Sequence, residues 1–393
     1  MNITLTIDRV RIEGMADLAW PAMVPVRQSF LRDRIAPETI PAVLREQFHK
    51  KNIAACVRPG MRIAIGVGSR GIANLQAIVR HTVQELKRLG AEPFIVPAMG
   101  SHGGATADGQ RRVLAGYGIT EEAVGAPVIS DMETVLLGRL NDGTEVYTDR
   151  FAYEADGIVV IPRIKPHPEL KGTIESGILK MLAVGLGKHK GAAALHASGM
   201  KAMAALMPRA GKFVMEHTPF LFAAAIVENA YHETCHLELV LKQEMPQREE
   251  ELLVLAKSRM PRLLFDEIDV LVVEEVGKNI SGAGMDCNIT GRASSANTSS
   301  RYDAPEINKI VVLRLTPETE GHPGAIGYAD YITRHTLEQI DLSALYTNAI
   351  ASNDVTAARL PVILADDREA IAAAVLTCGR RNPSDARIVC IRN

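Results

Sequence analysis

The sequence predicts an α/β fold of two lobes, each with a mostly parallel sheet flanked by helices, and three observations lead to this prediction. Short apolar runs rich in β-branched residues alternate with segments of helical periodicity. Loops with glycine and charged residues follow these runs, where the ligand-binding edge of an open α/β sheet lies. At 393 residues, the chain is long enough for roughly two domains. We therefore expect an active site in the cleft between the lobes.

The first lobe, residues 1–265, is predicted to be the catalytic domain. It starts with MNITLTIDRVRIEG, whose alternating apolar and polar residues are typical of an edge strand. The elements that follow are predicted to be a strand RIAIGVG (62–68), a helix Ala73 to Leu89 ending at Gly90, a strand EPFIVPA (92–98), a helix from about Thr106 and a strand GIVVIPRI (157–164). This alternation predicts a parallel sheet.

A hairpin interrupts this series at TVLLGRLNDGTEVYTD (134–149), where Asn-Asp-Gly separates two alternating runs. Residues 222–243 predict further strands, and residues 247–258 predict a charged helix. The second lobe, residues 266–393, is predicted from the strand-like runs DEIDVLVVEEVG (266–277) and KIVVLRL (309–315).

Composition gives no electrostatic reason to expect nucleic acid or a membrane surface as partner. Lys plus Arg number 44 against 46 Asp plus Glu, for a formal net charge of -2. The N-terminus lacks a signal-peptide pattern, and no run approaches the ~18 apolar residues of a membrane helix. We expect a cytoplasmic protein. The cysteines have no CxxC pair, so neither a disulfide framework nor a thiolate zinc site is predicted; they are Cys56, Cys235, Cys287, Cys378 and Cys390.

Histidines occur in two loops that follow predicted strands. Glycines on both sides of His102 in GSHGG let the backbone adopt positive φ and approach a ligand closely. Prolines on both sides of His167 in KPHP favour a stiff, extended loop. Both segments also fit ordinary surface loops, so the residues alone leave the role of each histidine open.

The loop GVGSRG (66–71) is similar to a dinucleotide-binding fingerprint, but its third glycine falls one residue short of the GxGxxG spacing. No clear acidic residue follows about 20 positions later, which argues against a nicotinamide cofactor. Arg70 suits bidentate capture of a carboxylate. A surface ion pair is the alternative.

The stretch LKMLAVGLGKHKGAAALH (179–196) places Lys180 and His196 in an apolar, glycine-containing segment. Lys180 either extends its ammonium to solvent or has a lowered pKa and acts as a nucleophile. His196 is either a hydrogen-bonded core histidine or a metal ligand. The glycines at 185, 187 and 191 suggest a chain that passes close to a flat ring.

Together, these loops and the 16-residue separation of Lys180 from His196 resemble the nickel-dependent lactate racemase family. The resemblance implies a nickel-pincer nucleotide, pyridinium-3-thioamide-5-thiocarboxylic acid mononucleotide, tethered to Lys180 through a thioamide. It implies that nickel is held by two sulfurs, a ring carbon and His196. It also makes His102 and His167 the catalytic histidines.

Ser69-Arg70 matches the family's Thr-Arg pair, which assigns Ser69 to the cofactor and Arg70 to the substrate. Other positions depart from the family pattern: Val67 replaces an aspartate, the segment between His167 and Lys180 is three residues longer, and Gly-Gly-Arg-Lys becomes Gly177-Ile178-Leu179-Lys180. In the second lobe Asp286-x-Asn288 survives without the expected glutamine and lysine, which leaves Lys278 and Arg292 as candidates to bind substrate. The resemblance thus supports the cofactor more strongly than lactate as substrate.

The implied activity is that of a racemase or epimerase acting at C2 of a 2-hydroxy acid by reversible hydride transfer. One histidine takes the hydroxyl proton, and the other serves the opposite enantiomer. The expected partners are the small acid and the enzymes that make the cofactor, and a homo-oligomer is compatible with the sequence. Whether the acid is lactate, a dicarboxylic acid or an aldonic acid stays open.

Two other functions also fit the residues. A divalent-metal (zinc) hydrolase would use His102, His167 and His196 as ligands, although no activating carboxylate is evident nearby. A non-catalytic nucleotide-binding relative would keep the fold without the chemistry.

Overall fold

A computed structural model describes residues 10–293, 302–351 and 354–393, which form two compact units. The N-terminal unit is Phe30–Pro261, and the C-terminal unit combines the segment up to Ser29 with Arg262–Asn393. The junction lies close to the predicted boundary at 265/266. The segment before Phe30 groups with the C-terminal unit because Leu18 is buried in its core.

The N-terminal unit contains a five-stranded sheet in the order β2-β1-β5-β6-β7 and a separate hairpin of β3 and β4. Only the β6–β7 pairing of the sheet is antiparallel. The strands are β1 (Arg62–Val67), β2 (Glu92–Pro97), β3 (Thr134–Arg139), β4 (Glu145–Asp149), β5 (Gly157–Ile161), β6 (Phe220–Glu228) and β7 (Thr234–Leu241). The predicted parallel strands and the hairpin are confirmed.

Helices cover both faces of this sheet. Alternate residues of β1 belong to different buried clusters, Ala64 to one and Ile63 with Ile65 to the other, because successive side chains of a strand point to opposite faces. The helices are α1 (Ile40–Lys50), α2 (Leu75–Arg88), α3 (Ala107–Gly116), α4 (Glu121–Val124), α5 (Arg150–Tyr153), α6 (Ile178–Lys180), α7 (Lys188–His196), α8 (Gly199–His217) and α9 (Gln247–Arg259). A π-helical turn, Met181–Gly185, lies between α6 and α7.

The C-terminal unit has a second five-stranded sheet, in the order β11-β10-β9-β8-β12, in which every pairing is parallel. Its strands are β8 (Glu267–Val276), β9 (Glu306–Leu315), β10 (Tyr331–Thr333), β11 (Val362–Leu364) and β12 (Ile388–Ile391). Its helices are α10 (Cys287–Thr290), α11 (Arg334–Gln339), α12 (Leu342–Ala351) and α13 (Asp367–Thr377). The predicted α/β class therefore holds for both units.

Three further expectations concern the chain as a whole. The edge strand predicted for residues 1–14 lies outside the described residues up to residue 9, and residues 10–14 form no strand. No disulfide joins the five cysteines, all of which lie in the described residues. Within the described part of the chain, no helix is both long and apolar enough to span a membrane.

A buried ion pair connects several elements of the N-terminal unit. Lys188, at the start of α7, is fully buried, and its Nζ lies 2.9 Å from Oδ2 of the buried Asp149 at the end of β4. The same Nζ donates to the carbonyl oxygen of Pro97, at the end of β2, over 2.6 Å. Asp149 also accepts from the backbone N–H of Ala152, which caps α5. One cation thus joins the ends of β2 and β4 to the start of α7.

We predict that Lys188→Met destabilises the N-terminal unit by about 3–5 kcal/mol, because it leaves the Asp149 carboxylate buried without a cation. The measurement is urea unfolding followed by circular dichroism. The control is Lys190→Met, since Lys190 is exposed and only lies over the ring of Tyr147, so its loss is expected to cost less than about 1 kcal/mol. Adding Asp149→Asn to Lys188→Met should recover part of the loss, and an unchanged midpoint for Lys188→Met would contradict the prediction.

Candidate functional site

The loops after β1 and β2 bring Ser69 and His102 together. These parallel strands are neighbours, so their carboxyl ends lie at the same edge of the sheet. Ser69 Oγ is hydrogen-bonded to Nδ1 of His102, and the hydroxyl of Tyr117 donates to the carbonyl oxygen of Ser69 over 2.9 Å. The His102 side chain is exposed to solvent.

The GSHGG loop is held from beneath by Gln110 of α3, which is fully buried. Its Nε2 donates to the carbonyl oxygens of Gly100, at 2.8 Å, and His102, at 3.2 Å. Gly103 has φ +66°, and a Cβ there would lie 2.6 Å from the backbone nitrogen of Gln110. The predicted positive φ beside His102 is confirmed, but the close approach it allows is to α3.

His167 lies in the loop that follows β5. Its Nδ1 accepts hydrogen bonds from the backbone N–H groups of Glu169 and Leu170, each 3.0 Å long. A nitrogen that accepts carries no proton, so the neutral ring holds its proton on Nε2. Burial lowers the pKa of His167 well below its usual value, and the positive charge of Lys180 lowers it further. The imidazole is therefore neutral at physiological pH.

Lys180 ends α6 and is partly exposed. Burial lowers its pKa to about 8, with a further lowering by Arg70 and an opposing effect from Glu169. Within the described residues, no hydrogen bond or ion pair engages its ammonium group. A large fraction of neutral amine near pH 8 makes Lys180 a competent nucleophile.

His196 is the last residue of α7, and its Nδ1 lies 2.7 Å from the carbonyl oxygen of Ala192. A carbonyl oxygen only accepts, so Nδ1 donates and the neutral ring leaves Nε2 unprotonated. That tautomer, fixed by a backbone carbonyl, is the one in which a histidine binds metal through Nε2.

The causes of the lowered pKa of His167 include several side chains of this region. Desolvation is the largest cause, followed by Coulomb interactions with Lys180, Lys171, Arg70 and His196. Ser69 with Arg70, His102 and His167 follow the adjacent parallel strands β1, β2 and β5, so the structure places these four residues at one edge of the sheet. The segment between Lys180 and His196 is joined to this edge, since the N–H of Gly100 donates to the carbonyl oxygen of Gly185 over 3.1 Å.

Arg70 is exposed to solvent, yet desolvation by the surrounding protein lowers its pKa, and the nearby Arg163 lowers it further. Arg163 is itself ion-paired with Glu228 and donates to the carbonyl oxygen of Gly71 over 3.3 Å. In the part of the chain that is described, Arg70 forms no ion pair. The surface ion pair considered as an alternative for Arg70 is not found there, so its guanidinium is available for an anionic ligand.

The glycines between Lys180 and His196 pack against protein backbone. A Cβ at Gly185 would lie 2.7 Å from the carbonyl oxygen of Ala98, and one at Gly187 would lie 2.4 Å from that of Ala183. These backbone contacts therefore explain the glycines without the flat ring that the sequence suggested. They let the π-helical turn and α7 pack closely against the end of β2 and against each other.

The two candidates in the C-terminal unit lie at opposite ends of its sheet. Lys278 follows β8 at the carboxyl edge, and its Nζ donates to Oδ1 of Asn348 over 3.0 Å. Arg292 forms an ion pair with Asp330 at 2.9 Å and donates to the carbonyl oxygen of Asn308, near the amino end of β9, over 2.6 Å. These contacts give Arg292 a structural role, and its contact with substrate stays a prediction.

Sequence reasoning did not identify Lys188 or Gln110, which lie beneath the site. A lysine between two glycines of an apolar run, in GLGKHKG, is the signal that could have indicated Lys188. No sequence pattern identifies Gln110, since its role depends on the loop that packs over it.

Among the described residues, no group of three or more His, Cys, Asp and Glu side chains is placed to hold a metal ion. His102, His167 and His196 thus do not form the three-histidine site that a zinc hydrolase would need. A metal that takes a single protein ligand is compatible with this arrangement.

Comparison with known proteins agrees with the fold. Residues 22–205 match the lactate racemase N-terminal domain family. The lactate racemase apoprotein from Thermoanaerobacterium thermosaccharolyticum has a similar structure, with TM-score 0.56, 12% sequence identity and coverage of 93% of this chain and 95% of that one. A structural-genomics protein from Thermotoga maritima has TM-score 0.52 and 13% identity over 83% of this chain and 82% of that one. No curated protein matches the sequence.

We predict that Lys180 is acylated by an amine-reactive probe with an apparent pKa of about 8 in the cofactor-free protein. Arg70→Gln removes a neighbouring positive charge, so it should raise the pKa of Lys180 and slow labelling at pH 8. Peptide mass spectrometry across a pH series measures the rate. Arg80→Gln, an exposed change on α2, is the control and should leave the rate unchanged. Equal rates in wild type and Arg70→Gln would contradict the prediction.

Proposed function

We propose, because the N-terminal domain of this chain belongs to the lactate racemase family, that the protein is a racemase or epimerase acting at C2 of a 2-hydroxy acid. The reaction is a reversible hydride transfer that uses a nickel-pincer nucleotide bound to Lys180 and His196. The observation that carries the proposal is geometric: the loops with Arg70, His102 and His167 follow three adjacent parallel strands, β1, β2 and β5, and so lie at one edge of the sheet. The interactions of Lys180, Arg70 and His196 that lower the pKa of His167 agree with this arrangement. These are the residue types that the family chemistry requires.

Two features of the site fit the cofactor. The Lys180 amine has a lowered pKa and no ion pair in the described residues, as a lysine that forms a covalent tether requires. His196 presents an unprotonated Nε2, as a metal ligand requires. When bound, the nickel-pincer nucleotide supplies a hydride acceptor that can return hydride to either face of a keto acid.

Arg70 binds and orients the substrate. Its planar guanidinium matches a carboxylate with two parallel hydrogen bonds, and it has no competing ion pair in the described residues. The weak hydration of a partly desolvated guanidinium strengthens this contact. Lys278 of the C-terminal unit stays a candidate for the distal group of a longer acid.

The two histidines handle the hydroxyl proton. When His102 donates from Nδ1 to Ser69 Oγ, its Nε2 is unprotonated and accepts the proton of the C2 hydroxyl. His167 presents an N–H at Nε2, which donates to the C2 oxygen. To accept a proton for the opposite enantiomer, His167 must shift its proton to Nδ1 and release the N–H groups of Glu169 and Leu170. The geometry therefore favours His102 as the base and His167 as the hydrogen-bond donor.

The zinc hydrolase receives no support from the described residues, since the three histidines form no metal-ligand group. A non-catalytic relative would share the fold, and metal analysis of the purified protein separates it from an enzyme. Nickel with a pyridine-type absorbance supports the proposal, whereas zinc supports the hydrolase and absence of metal after coexpression supports the non-catalytic relative.

We predict that protein coexpressed with the cofactor-making enzymes carries a covalent adduct on the peptide containing Lys180. Lys180→Ala should lose adduct and activity together, while His196→Ala should keep the adduct and lose nickel. Mass spectrometry and metal analysis measure both, with Lys190→Ala as a control that keeps both. Activity is assayed as loss of optical purity or epimer formation across short 2-hydroxy acids, dicarboxylic acids and aldonic acids. Active protein with an unmodified Lys180 would refute the proposed cofactor.

We predict that His102→Ala and His167→Ala each lower kcat/KM by about 10²–10⁴-fold. For a racemisation the loss is equal in both directions, because the equilibrium constant is unity. His167→Gln keeps an N–H donor and should recover part of the activity, whereas His102→Gln should not, because an amide is not a base. Equal recovery by both glutamine variants would contradict the assignment of His102 as base.

A further inference from the structure

A buried carboxylate on α9 contacts the backbone directly before Lys180. Glu249 is only 1% exposed, and its two carboxylate oxygens accept from the backbone N–H of Leu179 at 3.2 and 3.4 Å. This N–H group belongs to the first helical turn, where it has no partner within the helix, and an acidic side chain is well suited to such a group.

The chain makes room for this contact at Gly177. A Cβ there would lie 2.2 Å from Oε1 of Glu249 and 2.7 Å from Cδ1 of Ile164. Any larger residue would push the carboxylate away from the helical turn. Gly177 is the one residue of the sequence Gly-Ile-Leu-Lys whose small size this contact requires.

The same helix also holds the rest of the segment between His167 and Lys180. Glu250 accepts from the hydroxyl of Thr173 over 2.9 Å, and Lys257 lies 2.7 Å from Oε1 of Glu175. Glu175 in turn accepts from the backbone N–H of His167 over 2.8 Å. The segment that separates these two site residues is therefore anchored to α9 along its length.

We propose that Glu249 is a positioning residue for Lys180: it fixes the helical turn that presents the lysine amine toward Arg70 and His167. The role of Lys180 as the cofactor tether rests on the proposed function, but its positioning by Glu249 does not. Stability alone does not account for this carboxylate. No cation pairs with it in the described residues, and desolvation raises its pKa to about 7, so an apolar residue would be less costly to bury.

The test uses the full-length protein without cofactor and follows acylation of Lys180 by peptide mass spectrometry. Glu249→Met removes both acceptors at similar volume, so it should release the turn, let Lys180 reach solvent and return its pKa toward the ordinary lysine value. Labelling at pH 8 should then slow by about tenfold or more, since each pKa unit changes the neutral fraction about tenfold. Glu249→Gln keeps one acceptor oxygen for the N–H of Leu179 and should have a smaller effect.

The matched control is Glu250→Gln, the adjacent carboxylate on α9, which contacts Thr173 and should leave Lys180 labelling unchanged. Circular dichroism checks that each variant is folded.

Should both Glu249 variants fail to fold, Gly177→Ala disrupts the same contact from the other side and should slow labelling in the same way. A folded Glu249→Met variant with the wild-type labelling rate would overturn the proposal. If wild type lacks the adduct after coexpression but the Glu249 variants still slow labelling, the proposed function fails and this positioning role stands.

Discussion

The buried ion pair between Lys188 and Asp149 is the interaction on which the candidate site depends. The Lys188 ammonium contacts the end of β2, which leads to the His102 loop, and Asp149 at the end of β4. Lys188 is also the first residue of α7, which ends at His196. A lysine buried this deeply is stabilised only by close anionic and carbonyl partners, so these segments cannot separate without leaving a charge unpaired in the interior. The interaction thereby couples the start of the His102 loop to the start of the helix that ends at His196.

The candidate site contains several positively charged side chains close together, and their charge lowers the pKa of the titratable groups around them. The pKa values of Arg70, His167 and Lys180 are all lowered, because burial and neighbouring cations both disfavour a proton. The consequence is chemical as well as electrostatic. A neutral imidazole and a largely neutral amine coexist with a guanidinium that stays charged, so one small region holds a hydrogen-bond donor, a nucleophile and an anion-binding group.

The segment between His167 and Lys180 is supported by a part of the chain that is remote from it in sequence. Residues of α9, about seventy positions after Lys180, hold the segment between His167 and Lys180 through carboxylates and a lysine. The resemblance to the lactate racemases implies that this segment is longer here, and that Leu179 replaces a basic residue before Lys180. The leucine is buried in the core, and the helical turn is held by Glu249 through its backbone.

The sequence by itself determined the α/β class, the order of the strands and helices along the chain, and the identity of the polar residues that follow the strands, because periodicity and loop composition are local properties. With the family resemblance, it also singled out Ser69, Arg70, His102, His167, Lys180 and His196 as candidates for the site. Only the tertiary structure decided what these residues contact. Arg70 has no ion pair in the described residues, whereas Arg292 forms an ion pair with Asp330. The hydrogen bonds of His167 and His196 decide which ring nitrogen of each carries the proton. The tertiary structure alone placed Lys188, Gln110 and Glu249 beneath the site. The physical reason is that burial, hydrogen-bond partners and pKa depend on segments far apart in sequence, which meet only when the sheet assembles.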